Sequence, residues 1–293
     1  MDTVSRIDNT PNALTVDVED YFHVSALAGS IPRSRWQEMP LRVEQSTHRL
    51  LDLFDTHGVK GTFFVLGWVA ERRPALVREL AERGHEVACH GYSHELVYRQ
   101  SAAEFRDETF KAKHLLEDIV QRPIWGYRAA SYSITRESLW ALDTVAEAGF
   151  RYDSSIFPVR HDRYGIPDAE THPHRLKTPS GRSLIEFPLT TASLFGYRLP
   201  VAGGGYFRLY PYLLTRAGLR QVNRSGSPFI FYLHPWEIDV DQPKQKAGWL
   251  SSFRHYNNLH KCENRLNRLL CDFRFSTVEA VLERLGLGVG ESV

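Results

Sequence analysis

Cysteine is scarce in this chain. Its three cysteines, Cys89, Cys262 and Cys271, are odd in number and form no Cys-x-x-Cys pair. That argues against a disulfide framework and a cysteine zinc site, and it fits a reducing compartment. An excess of either charge is also missing: 36 Lys and Arg stand against 35 Asp and Glu, a formal net charge of +1. This balance gives no electrostatic case for nucleic acid or an anionic membrane as the main partner. No apolar run approaches the roughly 20 residues that span a bilayer. The opening "MDTVSRIDNTPNALTVDVEDYF" lacks a basic start followed by an apolar core. The expectation is therefore no signal peptide, no membrane span and a cytoplasmic location. Repeats, low-complexity tracts and linkers are absent too, which predicts one domain over residues 1–293. Aromatic residues, by contrast, are plentiful. They make up 12% of the chain, with six Trp and thirteen Tyr, which suits sugar-stacking surfaces or an aromatic core.

The first half alternates strand-like and helix-like segments. "ALTVDV" (13–18) is a β-branched run, and "STHRLLDLFDTHG" (46–58) has a Ser start, helical apolar spacing and a closing Gly. "GTFFVLG" (61–67) reads as a buried strand, "PALVRELAERG" (74–84) as a helix with Pro near its start, and "HEVACH" (85–90) as a strand. Ser101 and Glu104 have capping-box spacing at the head of a helix over 101–120. "IWGYRAA" then reads as a strand, and "TRESLWALDTVAEAG" as a helix closed by Gly149. Repeated strand–helix units predict a parallel sheet, open or closed as a barrel. Residues 160–228 are less regular. "FIFYLH" is a late strand, 255–273 an amphipathic helix with Leu259, Cys262, Leu266, Leu269 and Leu270 on one face, and 277–285 a final helix. "GGG" (203–205) reads as a tight loop; its functional alternative is a substrate edge presenting Tyr206, Phe207 and Arg208.

Polar residues fall at strand ends. The first strand ends at Asp17, Glu19 and Asp20. The third ends at His90, with His94 four residues on. "IWGYR" ends at Arg128 and "FIFYLH" at His234. In a β/α barrel the C-terminal strand ends converge on one mouth. Each feature alone has a plain structural explanation, since acids cap loops and lone histidines pack in cores; it is their joint placement that carries information. Two imidazoles and one carboxylate, with a fourth position open to water, make a catalytic zinc set. That would leave one carboxylate of the first strand as general base and His234 as general acid, with Arg128 keeping the base ionised.

These motifs resemble those of the polysaccharide deacetylases, carbohydrate esterase family 4 with NodB homology. Five ordered motifs have counterparts between residues 14 and 235: "LTVDVEDYF", "HGYSH", "GYRAASYS", "YDSS" and "FYLHPW". The resemblance implies a distorted (β/α) barrel, with core motifs over 14–235 and a C-terminal helical extension over about 240–290. It also implies Zn²⁺, with Co²⁺ or Ni²⁺ as alternatives, and hydrolysis of N-acetyl groups on an acetylated amino-sugar glycan. Carried over, Asp17 is the base, His90 and His94 are metal ligands, His234 is the acid, Arg128 braces Asp17 and Asp153 orients His234. A Ser131 backbone N–H would hold the oxyanion, and Tyr132, Tyr206, Arg208 and Trp236 would line the sugar site.

Three departures stand out. Val18 separates Asp17 from the Glu19–Asp20 pair where the family has adjacent aspartates. Asp20 has the customary side chain and Glu19 the better strand phase, and both remain candidates for the third ligand. Ala129 and Ala130 stand where prolines are common, and the fourth motif lacks its usual tryptophan. A narrower resemblance, in "DVEDYFHV", "GGGYFRLYP", "FYLHPWEIDVDQP" and "RHYNNL", is to the subfamily found with exosortase-linked exopolysaccharide loci. It implies an exopolysaccharide or its oligosaccharide precursor as substrate. Hydrolysis of a cyclic amide or imide, favoured by a pocket closed by 195–215, and a non-catalytic carbohydrate-binding role are the alternatives.

Overall fold

The computed structural model describes residues 11–25, 27–161 and 163–288. The predicted first strand is β1 (Asn12–Val18), buried along its whole length. Such a run belongs to the centre of a parallel sheet covered on both faces. The first predicted helix starts three residues early, as α1 (Val43–Thr56). Its first amides have a cap from far away: the Asp20 carboxylate accepts from the N–H groups of Arg42 and Val43 at 2.7 and 2.8 Å. No local pattern reveals a cap of this kind.

Next come β2 (Thr62–Val65), α2 (Gly67–Arg72), α3 (Pro74–Glu82), β3 (Glu86–Cys89) and α4 (Ala102–Val120). The Ser101–Glu104 capping box forms as expected, each side chain meeting the other residue's backbone N–H. β4 (Gly126–Tyr127) and β5 (Tyr152–Asp153) are only two residues long, and between them α5 (Ala141–Glu147) covers the second half of the predicted helix.

The irregular region holds more order than its sequence suggests. It contains β6 (His174–Lys177), β7 (Ser183–Glu186), a hairpin of β8 (Thr191–Leu194) and β9 (Tyr197–Pro200), α6 (Gly204–Leu209) and α7 (Tyr212–Arg224). The glycine run therefore opens a short helix. Gly203 takes φ +133°, and a Cβ there would collide with the Tyr232 carbonyl, so only glycine allows this approach. β10 (Ile230–Leu233), α8 (Trp249–Tyr256), α9 (Leu259–Asp272), β11 (Phe275–Ser276) and α10 (Val278–Arg284) complete the described chain. The amphipathic segment is broken at Asn258, whose φ is +53°, and the five predicted core positions of α9 are all buried.

The strands form one nine-stranded sheet in the order β10-β1-β2-β3-β4-β5-β7-β6, with β11 beside β1. Every pairing is parallel except β6 with β7. The sheet curls into half a barrel, an α/β fold of the expected distorted-barrel class. Parallel pairing brings the C-terminal ends of β1, β3, β4 and β10 to one edge. Among the described residues no helix is long and apolar enough to cross a membrane.

Candidate active site

At the end of β1 the two candidate acids part company. Asp20 turns back into the protein. Its carboxylate accepts three backbone N–H bonds, from Tyr21 at 2.9 Å and from Arg42 and Val43, and so ties the 20–23 turn to α1. Burial pushes its carboxyl up to about 6 against the pull of those amides. Glu19 instead meets the histidines. Its Oε2 lies 2.8 Å from His94 Nε2, and ligand atoms of Glu19, His90 and His94 all fall within 4.8 Å of one another, all three residues buried. The strand phase, not the customary residue type, decides which acid joins the cluster. Asp20 as a ligand is thus corrected: its oxygens are committed to backbone amides.

His90 extends β3 by one residue. Its Nδ1–H donates to the Arg128 carbonyl at 2.9 Å, which leaves Nε2 as the bare acceptor. Burial lowers this imidazole to about 4, so it is neutral at pH 7, the state a metal ligand needs. His94 follows in a left-handed turn, φ +54°, that swings it back over the same spot. Burial opposes ionisation of Glu19, but His94 and His234 outweigh it and hold the carboxyl well below the usual range. Two imidazoles and a carboxylate, buried and convergent, with the Arg128 carbonyl orienting His90, fit a tetrahedral cation such as zinc.

The opposite wall is built around Asp17. The fully buried Arg128 donates to it at 2.6 Å and to Thr15 Oγ1 at 2.9 Å, with Ser154 taking the remaining bonds. The Tyr132 hydroxyl lies 3.4 Å from the other Asp17 oxygen. His234 Nε2 stands 3.2 Å from Glu19 Oε1 and 3.9 Å from Asp17 Oδ2. Burial alone would lower His234, but Glu19, Glu237 and Asp17 raise it to about 9.

The predicted partner of His234 is the wrong acid. Asp153 lies under the sheet edge, bonded to the hydroxyl and N–H of Ser155 at 2.7 and 3.0 Å and paired with Glu186 across β5 and β7. The group on His234 Nδ1 is Glu237, at 2.7 Å. Arg208 in turn holds Glu237 at 2.6 Å, and spends its other donors on the carbonyls of His255, Asn257 and Arg254. Burial raises Glu237, but Arg208 and His234 bring it down to about 2. Arg208 is 2% exposed and so serves as a buried brace out of reach of the sugar site. Trp236 is also buried. It stacks on His234 at 5.2 Å and on His255 at 4.4 Å, so it packs behind the acid and does not line the groove. The i,i+3 spacing of His234 and Glu237 in "HPWE" was the available signal.

A second residue escaped the sequence reading. His23 is buried among Phe22, Trp36 and Trp68, with ring centroids at 4.4 to 4.9 Å. The Asp20 N–H donates to its Nδ1 at 2.8 Å, so the proton sits on Nε2, which has no partner. Burial keeps the ring neutral. His23, His94, Ser131 and Tyr206 line a groove of about 940 Å³ that reaches the cluster. Ser131 and Tyr132 have φ of +52° and +55°, uncommon for non-glycine residues and frequent at functional turns.

Comparison with known proteins bears on the family and the fold. Residues 36–152 match the family model "Polysaccharide deacetylase", and residues 154–283 match "Domain of unknown function (DUF3473)". A Bacillus cereus peptidoglycan-N-acetylglucosamine deacetylase is 37% identical over 120 residues, 37% of this chain and 44% of that protein. A chitooligosaccharide deacetylase from Bradyrhizobium is 33% identical over 103 residues, 35% of this chain and 46% of that protein. The chain spans less than half the length of these curated relatives. The crystal structure of a candidate polysaccharide deacetylase from Mycobacterium smegmatis superposes with TM-score 0.60 at 20% identity, covering 97% of this chain and 94% of that one, which establishes the shared fold. One sheet draws strands from both matched segments, and residues 36–152 carry a polysaccharide deacetylase domain.

Proposed function

We propose that this chain is a metal-dependent N-deacetylase of N-acetylhexosamine units in a glycan. The observation that carries the reading is the buried Glu19–His90–His94 cluster set between an Arg128-braced Asp17 and a Glu237-held His234. A divalent cation, zinc in our reading with cobalt or nickel as substitutes, would be held by those three residues and supply Lewis acidity to a water and to the acetyl carbonyl. Asp17 takes a proton from the attacking water. The Ser131 N–H is assigned the developing oxyanion and Tyr206 contacts the sugar, while the buried Tyr132, which does not line the groove, turns its hydroxyl to Asp17. His234 gives its Nε2 proton to the departing nitrogen as the C–N bond breaks, so acetate and a free amine leave.

The segments around residues 17–24, 203–211 and 231–243 support an exopolysaccharide or its oligosaccharide precursor as the substrate. The volume of the groove favours a chain over a small cyclic amide. The test is acetate release from acetylated hexosamine oligomers. Release should stop with chelator and return with zinc; no release from varied glycans by zinc-loaded protein overturns the reading.

A further inference from the structure

The groove that leads to the cluster is lopsided in charge. Among the described residues its lining includes Arg33, Arg99, Arg163 and Arg254 but a single acid, Glu95, and that acid is paired with Arg33. All four arginines are exposed, and Arg99, Arg163 and Arg254 have no carboxylate partner among the described residues. The chain as a whole is almost neutral, with 36 basic and 35 acidic residues. Elsewhere some arginines find acids, as Arg73 does with Glu44, Arg83 with Asp55 and Arg106 with Glu147. What distinguishes the groove is number: among its described lining residues four arginines stand against one acid. Three unpaired guanidiniums come from three separate stretches of chain, after β3, after β5 and in α8, and they converge on one concave surface. That concentrates positive potential where a substrate must enter.

We propose that the groove takes an anionic glycan, an acetamido-sugar chain that carries carboxylate or phosphate groups bound by Arg99, Arg163 and Arg254. This rests on the deacetylase reading and narrows its substrate. Guanidinium is the side chain best shaped for both anions, since its planar fork donates two parallel hydrogen bonds to either. The Tyr206 ring in the same lining offers an aromatic surface for a sugar ring between the anionic groups.

The test is binding by titration calorimetry with neutral and anionic probes of equal length. Chitotetraose is the neutral probe. A hyaluronan tetrasaccharide supplies the carboxylate arm and chitotetraose 1-phosphate the phosphate arm, which separates the two sources. One of the anionic probes should bind about tenfold or more tightly than the neutral one at low salt, as charge-assisted hydrogen bonds predict. That margin should shrink at high salt and vanish in the Arg99→Ala, Arg163→Ala, Arg254→Ala triple variant, whose changes are all at exposed positions. Equal binding of all three probes overturns the proposal, and so does an anion preference that survives the triple change. Acetate release from the same oligosaccharides is scored separately. No release from any probe by zinc-loaded protein counts against the deacetylase reading, while the binding contrast still decides the charge preference.

Discussion

The two walls of the site are built in different ways. On the cluster wall each group is fixed by its position on a strand: Glu19 just past β1 and His90 just past β3, with His94 returned by one left-handed turn. On the acid wall His234 is also at a strand end, but what aims it is a buried relay. Glu237 holds its Nδ1, Arg208 holds Glu237, and Arg208 is anchored by carbonyls of α8 and the loop after it. The first wall depends on strand phase and the second on tertiary contacts 29 to 49 residues apart in sequence. The first should therefore fail by losing its ligand, and the second by losing its proton poise.

The largest effect is expected on the cluster wall. Replacing both histidines, His90→Ala with His94→Ala, should remove bound metal, measured by elemental analysis, and lower acetate release by about 10³-fold or more. Metal content and activity that survive this double change would break the assignment of the wall.

On the acid wall Glu237→Gln should cost about 10²-fold in kcat with metal content unchanged. The pH profile shows why. His234 acts as an acid only while it holds its proton, and Glu19 with Glu237 is what raises it to about 9. Removing one of these anions lowers that value, so the alkaline limb of kcat/KM should move to lower pH. A limb that stays in place would show that Glu237 does not poise His234.

Much of the cluster wall was legible in the sequence because strand ends and alternation are local. His90 and His94 stand where a strand terminus predicts them and Glu19 has the alternation phase that the cluster requires, and across the site Asp17, Arg128 and His234 also lie at strand ends. The acid wall was less legible. Nothing near Arg208 in "GGYFRLY" indicates that its guanidinium is buried against Glu237, since that contact needs α6, α8 and the turn after β10 packed together. The early start of α1 was hidden for the same reason, because its cap, Asp20, lies 22 residues away.

Asp20 and Glu19 sharpen the comparison, since they are neighbours with opposite duties. Glu19→Ala should release metal. Asp20→Asn should retain metal but lower the stability of the fold by about 1–3 kcal/mol, the cost of weakening buried bonds to a carboxylate, read as a fall in Tm. Metal loss in Asp20→Asn with an unchanged Tm would return Asp20 to the ligand set.

The smallest effect on catalysis is expected at Asp153, and it separates position from resemblance. Asp153 matches the family's orienting aspartate only by its place in "YDSS". Its carboxyl is bonded to Ser155 and faces Glu186 across the β5–β7 register. Burial raises both members of that acid pair, so a shared proton holds them together. Glu186 is the donor of that pair and Asp153 the acceptor, a role that an amide oxygen can fill without adding a charge. Asp153→Asn should therefore leave the alkaline limb of kcat/KM where it is, with activity changed only a few-fold, whereas Glu237→Gln moves it. If instead Asp153→Asn shifts that limb and Glu237→Gln does not, the relay through Arg208 does not aim the acid, and the aspartate inferred from the motif does.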